Sequence, residues 1–293
     1  MEVVKDIRDY YIKNTALTLG KFEGLHQGHQ ALLSRIIDEK SNNLIPVVFT
    51  FYPHPAIFFG SVDHKLINTN EEKLKKLEDI GIEVVIEYPF DEMVMKMEPE
   101  AFVKDILVDH LGVKVITVGE DYRFGHKRSG DVDLLIRLGQ KYGFQVIALA
   151  KKQLNNEIVS SSLIKKCIEE ADIEKANQLL GTPFSIIGTV QHGRKLGRTI
   201  GIPTTNLIPP TEKLLPPSGV YVSITLIDGI EYQGITSIGY KPSVGSTDFK
   251  GVETYLFDFD EDVYGKEIEI KLLKYLRPEI KYSSIDALKS QIQ

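Results

Sequence analysis

The chain has 293 residues, 42% of them hydrophobic, and a formal net charge of −6. A length beyond the usual domain of about 100 to 200 residues predicts two domains, each able to bury a core. The acidic balance argues against a protein that binds nucleic acid by neutralising its phosphates. Residues 1–11 are charged and lack the apolar region of a signal peptide, and no segment approaches the roughly 18 apolar residues of a membrane span. We therefore expect a cytoplasmic protein with no membrane or nucleic-acid partner.

From residue 15 to about residue 150, short apolar runs alternate with amphipathic segments. The apolar runs predict strands, and the amphipathic segments predict helices packed on a sheet. Such alternation predicts an α/β domain with a parallel sheet and helices on both faces, whose ligands bind beyond the carboxyl ends of the strands. The predicted strands are 15–19, 45–51, 84–87, 113–118 and 144–149, and the predicted helices are 31–37, 71–80, 99–111 and 131–142.

The stretch between the first strand and the first helix carries the strongest sign of chemistry. Glycines at 20, 24 and 28 allow a sharp turn and the close approach of a ligand. The free N–H groups in the first helical turn favour an anion such as phosphate. His26 and His29, three residues apart, would share one helix face and could donate hydrogen bonds to the same phosphoryl group. For each histidine, a structural or solvent-facing role is the alternative.

Two further segments follow predicted strands. Residues 49–55 place His54 and Pro55 in an extended loop fixed by two prolines, which could also be only a rigid connection. Residues 118–131 mix aromatic rings, cations and glycines, including Asp121, Phe124 and Arg128. Rings that stack on a planar ligand, beside cations that meet a phosphate, predict a site for a planar phosphorylated molecule.

Three serines precede the next predicted helix. Ser160, Ser161 and Ser162 are typical N-cap residues, which is the ordinary explanation for their presence. Their hydroxyls, the free helix N–H groups and Lys165 could together bind the phosphates of a triphosphate instead.

The helical pattern continues to a glycine that we interpret as its end. Cys167 is the single cysteine, so no intrachain disulfide can form, and its spacing predicts a buried helix face. Gly181, followed two residues later by Pro183, is typical of a helix C-terminus. We place the domain boundary there, between domain 1–181 and domain 182–293.

These motifs resemble those of a known family. H-x-G-H resembles the signature of nucleotidyltransferases that attach a nucleotide to an alcohol or a phosphate, and residues 20–29 resemble the prokaryotic FAD synthetase pattern G-x-F-[DE]-G-x-H-x-G-H. Glu23 departs from the aspartate that is usual there. Ser162 and Lys165 depart from S-S-T-x-x-R but keep the hydroxyl and the positive charge, although lysine lacks the bidentate fork of arginine.

The resemblance implies a Rossmann-like nucleotidyltransferase domain and assigns residues to it. His26, His29 and Lys165 would be catalytic. The flavin would be bound by residues after the second and fourth predicted strands: His54, Pro55, Asp121, Phe124 and Arg128. The phosphates of ATP would be bound by the glycine-rich turn and the serines: Gly20, Phe22, Gly24, Gly28, Ser160, Ser161 and Ser162.

Beyond residue 183 the pattern changes to strands without intervening helices. Asp228-Gly229 between two β-rich runs is a strong hairpin signal. Consecutive strands of this kind predict a small antiparallel barrel or a sandwich, followed by one terminal helix at 284–293. The predicted strands are 184–190, 220–227, 230–238, 252–259 and 267–273.

A second constellation lies in residues 193–207. Three glycines spaced four apart, with basic residues between them, make a loop whose N–H groups could line phosphates; the residues of interest are Gly193, Lys195, Gly197, Arg198 and Gly201. Thr204 and Asn206 then offer hard oxygen ligands, which suit Mg²⁺ together with phosphate and water, although each alone could be a turn residue. No P-loop pattern follows a strand, so a P-loop kinase is excluded.

A carboxylate in a predicted strand supplies a candidate base. Glu253 shares a strand face with Tyr255 and Phe257, and the opposite face is also largely apolar. Placing a carboxylate in such surroundings costs free energy, so we expect it to be ion-paired or to have a catalytic role.

Residues 193–206 resemble the riboflavin kinase signature G-x-x-x-G-R-x-x-G-[FI]-P-T-x-N, and the strand with Glu253 resembles V-E-x-x-x-x-D-F. Both halves together resemble the prokaryotic bifunctional riboflavin kinase and FAD synthetase family. The resemblance implies that Glu253 activates the riboflavin hydroxyl, Thr204 and Asn206 hold Mg²⁺, Tyr240 meets the flavin and Arg277 meets nucleotide and flavin. Its substrates would be riboflavin, FMN and ATP, and its products FMN and FAD.

Two alternatives stay open from the sequence. Glu23, Ser162 and Lys165 allow a riboflavin kinase whose first domain has lost adenylylation. A non-catalytic flavin-binding regulator is the other, although it would have no use for Glu253 or the predicted magnesium loop.

Overall fold

The structure is a computed structural model and describes residues 1–53, 65–191, 204–241 and 249–280. The chain divides into two compact units, Met1–Ser160 and Ser161–Gln293. The predicted helix at 284–293 lies outside the described residues.

The first unit contains a six-stranded sheet in which every neighbouring pair is parallel. Its order is β1-β4-β3-β2-β5-β6. The strands are β1 (Glu2–Val4), β2 (Thr15–Leu19), β3 (Ile45–Phe51), β4 (Val84–Tyr88), β5 (Val113–Gly119) and β6 (Gln145–Leu149). A separate two-stranded antiparallel hairpin, β7 (Gln153–Leu154) and β8 (Glu157–Ile158), follows β6. The predicted α/β class and its five strands are confirmed to within a residue or two, and β1 is an edge strand that the sequence pattern did not reveal.

Helices cover both faces of this sheet. Along β2, Leu17 and Leu19 belong to one core cluster and Ala16 to the other, because successive side chains point to opposite faces. The helices of the unit are α1 (Gln27–Asp38), α2 (Asn70–Ile80), α3 (Glu92–Met95), α4 (Pro99–Ala101), which continues as a π-helix (Phe102–His110), and α5 (Val132–Tyr142). The face covered by α1 and α2 buries Leu33, Ile36 and Leu77, and the opposite face buries the π-helix and α5.

The direction of chain progression reverses beside β2. The chain runs outward from β2 through β3 to β4, and β5 then returns to the other side of β2. Ligands of open parallel sheets bind at such a switch point, beyond the carboxyl ends of the strands. The loops that follow β2 and β5 are therefore the expected site.

The second unit begins with two helices, α6 (Ser161–Glu169) and α7 (Ile173–Leu180). Our prediction of one continuous helical run was wrong, because Ala171 takes a left-handed φ of 60° and ends the first helix. Cys167 is buried on α6, as its spacing predicted.

The strands of the second unit form one curled antiparallel sheet, in the order β10-β13-β12-β11-β14-β9. They are β9 (Phe184–Thr189), β10 (Thr204–Leu207), β11 (Gly219–Ile227), β12 (Ile230–Lys241), β13 (Phe249–Leu256) and β14 (Glu267–Arg277). Asp228 and Gly229, with φ values of 49° and 84°, close the β11–β12 hairpin as predicted. The sequence predicted a barrel or a sandwich. The structure shows one curled sheet of the barrel type rather than two packed sheets.

Helix α7 is tied to the strands of the second unit by side-chain hydrogen bonds. The Asn177 side-chain amide donates to the Leu272 carbonyl oxygen at 2.8 Å, and the Phe184 N–H donates to Asn177 Oδ1 at 2.7 Å. The compact unit thus starts at Ser161, before the boundary that we placed at Gly181 from the sequence.

We expect a fragment of residues 161–293 to be more stable than a fragment of residues 182–293. The shorter fragment loses the Asn177 bonds and the buried side chains of Ile173, Ala176, Leu179 and Leu180. Each large apolar side chain contributes about 1.5 to 3 kcal/mol when fully buried, so the thermal midpoint should fall by about 10 °C or more. Calorimetry of the two fragments measures this difference, and equal midpoints would contradict it.

Candidate active sites

The turn between β2 and α1 is compact and largely buried. Phe22, Gly24 and Leu25 take left-handed φ values of 51°, 83° and 47°, so the chain reverses within a few residues. The side chains of Phe22 and Leu25 point into the core and are 0% and 4% exposed. A Cβ on Gly24 would lie 3.0 Å from the Ile67 side chain, so this turn also packs against the segment that leads into α2.

The two predicted catalytic histidines meet at the start of α1. Their rings stack with centroids 3.7 Å apart, and the His29 backbone N–H donates to His26 Nδ1 at 3.4 Å, which makes His26 the N-cap. A Cβ on Gly28 would lie 3.2 Å from the His26 ring, so glycine leaves room for this stack. Because Nδ1 of His26 accepts a hydrogen bond, the proton of its neutral ring lies on Nε2 and is available to a ligand.

Both histidines are neutral near pH 7. Burial lowers the pKa of His26 from 6.5 to about 4. Burial, together with the charge that His26 would carry, lowers the pKa of His29 well below 6.5. His29 Nδ1 is buried without a hydrogen-bond partner in the part of the chain that the structure describes. The pair can therefore donate hydrogen bonds to an anion as neutral imidazoles.

A cavity of about 630 Å³ lies at the ends of β2 and β5. It brings together Gly20, which we predicted at the phosphates, with Asp121, Phe124 and Arg128, which we predicted at the flavin. The cavity is lined mainly by aromatic, methionine and basic side chains; besides the four residues just named they are Lys21, Phe49, Phe51, Phe90, Val94, Met95, Met97, Phe102, Tyr122, Arg123, Gly125 and Lys127. Its size and lining suit a planar aromatic ligand with a charged group.

The basic wall of the cavity is a short 3₁₀ turn, His126–Arg128. Lys127 and Arg128 take left-handed φ values of 50° and 59°. The preceding Gly125 has φ of 70°, and a Cβ there would lie 2.5 Å from Pro99, so only glycine fits. Asp121 pairs with Lys151 at 2.8 Å, and Arg123 pairs with Asp131 at 3.0 Å. The rim of the cavity thus keeps the positive charges of Lys127 and Arg128, while Lys151 neutralises the charge of Asp121.

The sequence did not indicate that the segment around α3 lines this cavity. Phe90, Met95 and Met97 come from the segment around α3, which has no glycine or histidine pattern. Methionines at such spacing are typical of an ordinary core helix, so only the structure reveals that they face a cavity.

The predicted serines and Lys165 lie where α6 begins. Ser160 ends the first unit, and Ser161 and Ser162 form the first turn of α6. Lys165 is half-buried one turn further along. His54 and Pro55, by contrast, lie outside the described residues.

The second unit brings the candidate base and a candidate metal ligand into contact. Thr204 Oγ1 donates to Glu253 Oε1 at 2.6 Å. Asn206 is the direct register partner of Glu253 between β10 and β13. Val252, Thr254 and Leu256 are buried on the other face of β13, so Glu253 lies on the face opposite the core. The predicted glycine loop with Gly193, Lys195, Gly197, Arg198 and Gly201 lies outside the described residues.

Thr204 and Asn206 offer hard oxygen donors, the kind of ligand that Mg²⁺ prefers. No group of three His, Cys, Asp or Glu side chains within the described ranges could hold a metal alone. Magnesium in phosphoryl-transfer enzymes commonly uses few protein ligands and several oxygens from phosphate and water. The residues present are consistent with that kind of site.

Of the other predicted residues of this unit, Tyr240 is exposed and Arg277 is half-buried. Tyr240 is 68% exposed, with Lys250 Nζ 5.9 Å from its ring centroid. Arg277 Nη1 donates to the Pro278 carbonyl oxygen at 3.1 Å. Burial lowers the pKa of Lys250, and the charge of Glu279 opposes that shift.

A parallel α/β unit with a glycine-rich turn and a histidine-capped first helix is typical of a nucleotidyltransferase domain. The second unit adds a barrel-type sheet with a carboxylate and hydroxyl pair. The FAD synthetase family model matches residues 9–163, and the riboflavin kinase family model matches residues 180–293. The chain belongs to the bifunctional riboflavin kinase/FMN adenylyltransferase family.

Curated relatives support this assignment over most of the chain. A bifunctional riboflavin kinase/FMN adenylyltransferase of Buchnera aphidicola is 39% identical over 285 residues, covering 95% of this chain and 91% of the relative. The protein of the same name from Escherichia coli K12 is 36% identical and covers 94% of this chain and 88% of the relative. A crystal structure described as a macrolide-efflux protein from Streptococcus pneumoniae is 27% identical, with a TM-score of 0.85 over 99% of this chain and 95% of that chain. Within the described residues, no helix has the length and apolarity to cross a membrane.

We expect His26 in the ligand-free protein to protonate with a midpoint near pH 4, because burial disfavours its charged form. The unfolded chain takes up this proton near pH 6.5, so the folded state should lose stability as the pH falls through that window. NMR titration of the imidazole resonances measures the midpoint, and the same residue in denaturant provides the reference. A folded-state midpoint at pH 6 or above would contradict the proposed burial.

Proposed function

We propose that the first unit transfers AMP from ATP to FMN at the β2–α1 turn and the adjoining cavity, and that the second unit phosphorylates riboflavin at Glu253. One observation carries the first assignment: an aromatic cavity with a cationic rim shares Gly20 with the turn that presents two neutral histidines. The hydrogen bond from Thr204 to Glu253 supports the second.

In the adenylylation step, a phosphate oxygen of FMN attacks the α-phosphorus of ATP. The bond from that phosphorus to the oxygen bridging to the β-phosphorus breaks, and pyrophosphate leaves with the electron pair. The attacking oxygen is already ionised, so the site has no proton to remove. Its task is to align the two anions and to stabilise the charge that develops on the leaving group. Neutral His26 and His29 would donate hydrogen bonds to that group. Lys165, which the resemblance also implies as catalytic, belongs to the second compact unit.

The flavin of FMN would occupy the cavity. Its tricyclic ring would pack between the aromatic and methionine side chains, and its phosphate would lie toward Gly20 at the mouth of the turn. Arg128 and Lys127 would meet the negative charge that FMN brings.

In the kinase step, Glu253 would accept the proton of the riboflavin 5′-hydroxyl as that oxygen attacks the γ-phosphorus of ATP. The bond from the γ-phosphorus to the bridging oxygen breaks, and ADP leaves. The Thr204 hydroxyl donates to one carboxylate oxygen of Glu253 and would thereby orient the other toward the substrate. Thr204 and Asn206 would hold Mg²⁺, which neutralises phosphate charge when bound. The use of ATP by both reactions supports a cytoplasmic location.

Incubation of the protein with riboflavin, ATP and Mg²⁺, followed by separation of the flavins, tests both activities together. FMN followed by FAD is the expected sequence of products. FMN alone would support the kinase-only alternative, and no turnover would support the flavin-binding regulator. The functional boundary at Gly181 would be tested by assaying residues 161–293 and residues 182–293 for FMN formation.

Replacement of His29 by Ala should lower FAD formation by about 100-fold or more, the scale of losing one transition-state hydrogen-bond donor. FMN formation should be unchanged, because it takes place in the other unit. Separate assays with riboflavin and with FMN as substrates measure the two effects. His110→Ala is the matched control, because His110 precedes β5 at the opposite end of the sheet. Equal loss of both activities would show that His29 is structural.

Replacement of Glu253 by Gln should lower FMN formation by about 100- to 10,000-fold, the usual contribution of a general base. FAD formation from supplied FMN should persist, because that step needs no proton from riboflavin. Glu231→Gln is the control, since Glu231 is an exposed glutamate on β12 paired only with Lys271 in the described region. Near-normal turnover in folded Glu253→Gln would transfer the role of base to another group.

A further inference from the structure

Three of the four methionines of the chain lie within five residues of one another, in and just after helix α3. Met93 is 67% exposed, whereas Met95 and Met97 are half-buried and line the cavity of the first unit. The fourth methionine is Met1, so residues 161–293 contain none. Two thioethers thus lie on the wall of the cavity, and a third lies in the solvent a few residues away.

Contacts on both sides hold this segment at the cavity. The Val94 N–H donates to Asp91 Oδ1 at 2.9 Å, which caps α3, and Val94 is only 8% exposed. The Met97 carbonyl oxygen accepts a hydrogen bond from the His126 N–H at 2.8 Å. His126 begins the basic turn that forms another wall of the cavity. The segment is therefore anchored on either side of Met95, and both cavity methionines are kept at the wall.

The thioether of methionine reacts with hydrogen peroxide. A lone pair on the sulfur attacks one peroxide oxygen, the O–O bond breaks, and the departing hydroxide takes the proton of the transferred oxygen, which gives methionine sulfoxide and water. The sulfur loses two electrons and the peroxide gains them. The product is a polar side chain with one additional oxygen atom. Covering that S–O group with an aromatic ring, away from any hydrogen-bond donor, costs free energy that covering a thioether does not.

We propose that Met95 and Met97 are an oxidative modification site: peroxide converts them to sulfoxides while the cavity is empty, and the sulfoxides weaken FMN binding and with it FAD formation. The inference rests on the proposed function of the cavity. The wall that the two methionines share is apolar and aromatic, and the ring centroids of Phe51 and Phe90 on it are 5.1 Å apart. A planar ring packed on this wall covers the two sulfur atoms, so bound FMN excludes the oxidant that the empty cavity admits.

The first measurement is a footprint of the full-length protein. It is treated with hydrogen peroxide in the dark, with and without saturating FMN, and the sulfoxide at each methionine is measured by fragmentation mass spectrometry. FMN should slow the oxidation of Met95 and Met97 by about 10-fold or more, because susceptibility follows exposure. The oxidation of Met93 should be unchanged, since that side chain is in the solvent in either case. Equal protection of all three methionines, or protection of none, would overturn the proposal.

The second measurement is activity after peroxide treatment. The KM for FMN in FAD formation should rise about 10- to 100-fold, the scale of burying a polar group without a partner. FMN formation from riboflavin should be unchanged, since the second unit contains no methionine and its Cys167 is buried.

Met95→Leu/Met97→Leu keeps the volume and apolar character of both side chains but cannot form a sulfoxide. Its KM for FMN after treatment should therefore equal its own KM before treatment. Met93→Leu is the matched control and should lose affinity as the wild type does. A double variant that loses as much affinity as the wild type would refute the modification site. The footprint uses the wild type alone, so it decides the proposal even where the double variant fails to fold.

His29→Ala separates failure of this inference from failure of the proposed site. If His29→Ala abolishes FAD formation while peroxide leaves the KM for FMN unchanged, the site stands and only the oxidative modification is lost. If His29→Ala has no effect, the assignment of the site itself is wrong and the inference falls with it.

Discussion

The turn from β2 to α1 is the constraint on which the first unit depends. Left-handed backbone at a residue other than glycine costs on the order of 1 to 3 kcal/mol and persists only where the surroundings impose it. Phe22 and Leu25 both carry that cost, and burial of each side chain offsets it by about 1.5 to 3 kcal/mol. Burial and strain are therefore similar in size, and the packing of these two side chains holds the turn in its left-handed conformation. That conformation places Gly20 at the cavity and His26 and His29 together at the start of α1.

In the second unit, the pairing register of β10 and β13 fixes the geometry of the candidate site. The pairing of β10 with β13 sets Asn206 opposite Glu253 and brings Thr204 within hydrogen-bond distance of that carboxylate. A slip of one residue would turn Glu253 toward the buried side of the sheet, where Val252 and Thr254 now lie. The burial pattern of β13 thus protects the position of the proposed base and of the oxygen ligands together.

Much of the fold could be predicted because buried parallel strands are continuous apolar runs. The strands 15–19 and 45–51 were predicted with the bounds that the structure shows. By contrast, β10 is a polar segment, Thr-Thr-Asn-Leu, whose residues we had interpreted only as metal ligands. The break at Ala171 has no glycine or proline to indicate it, and β1 has only three residues.

The residues of the candidate sites were predictable from the sequence only where they stand in a local sequence motif. The histidine pair, Asp121 and Phe124 stand in local patterns that limit backbone geometry or supply stacking rings. The burial of Lys73 depends on helix α2 packing over the sheet, and no local pattern reports a packing contact between separate elements. The same holds for Phe90 and Met95, whose role at the cavity depends on where the α3 segment lies.

The stacked histidines limit how the proposed adenylyl-transfer site can act. Two positive charges about 4 Å apart repel by about 4 kcal/mol at an effective dielectric constant near 20, which favours a neutral pair. Burial acts in the same direction, because it lowers the pKa of both rings. In the proposed reaction the two rings would therefore meet the phosphates as hydrogen-bond donors without net charge. An arginine in place of either histidine would carry a fixed positive charge that also attracts the pyrophosphate product. A neutral pair would stabilise the leaving group without that charge.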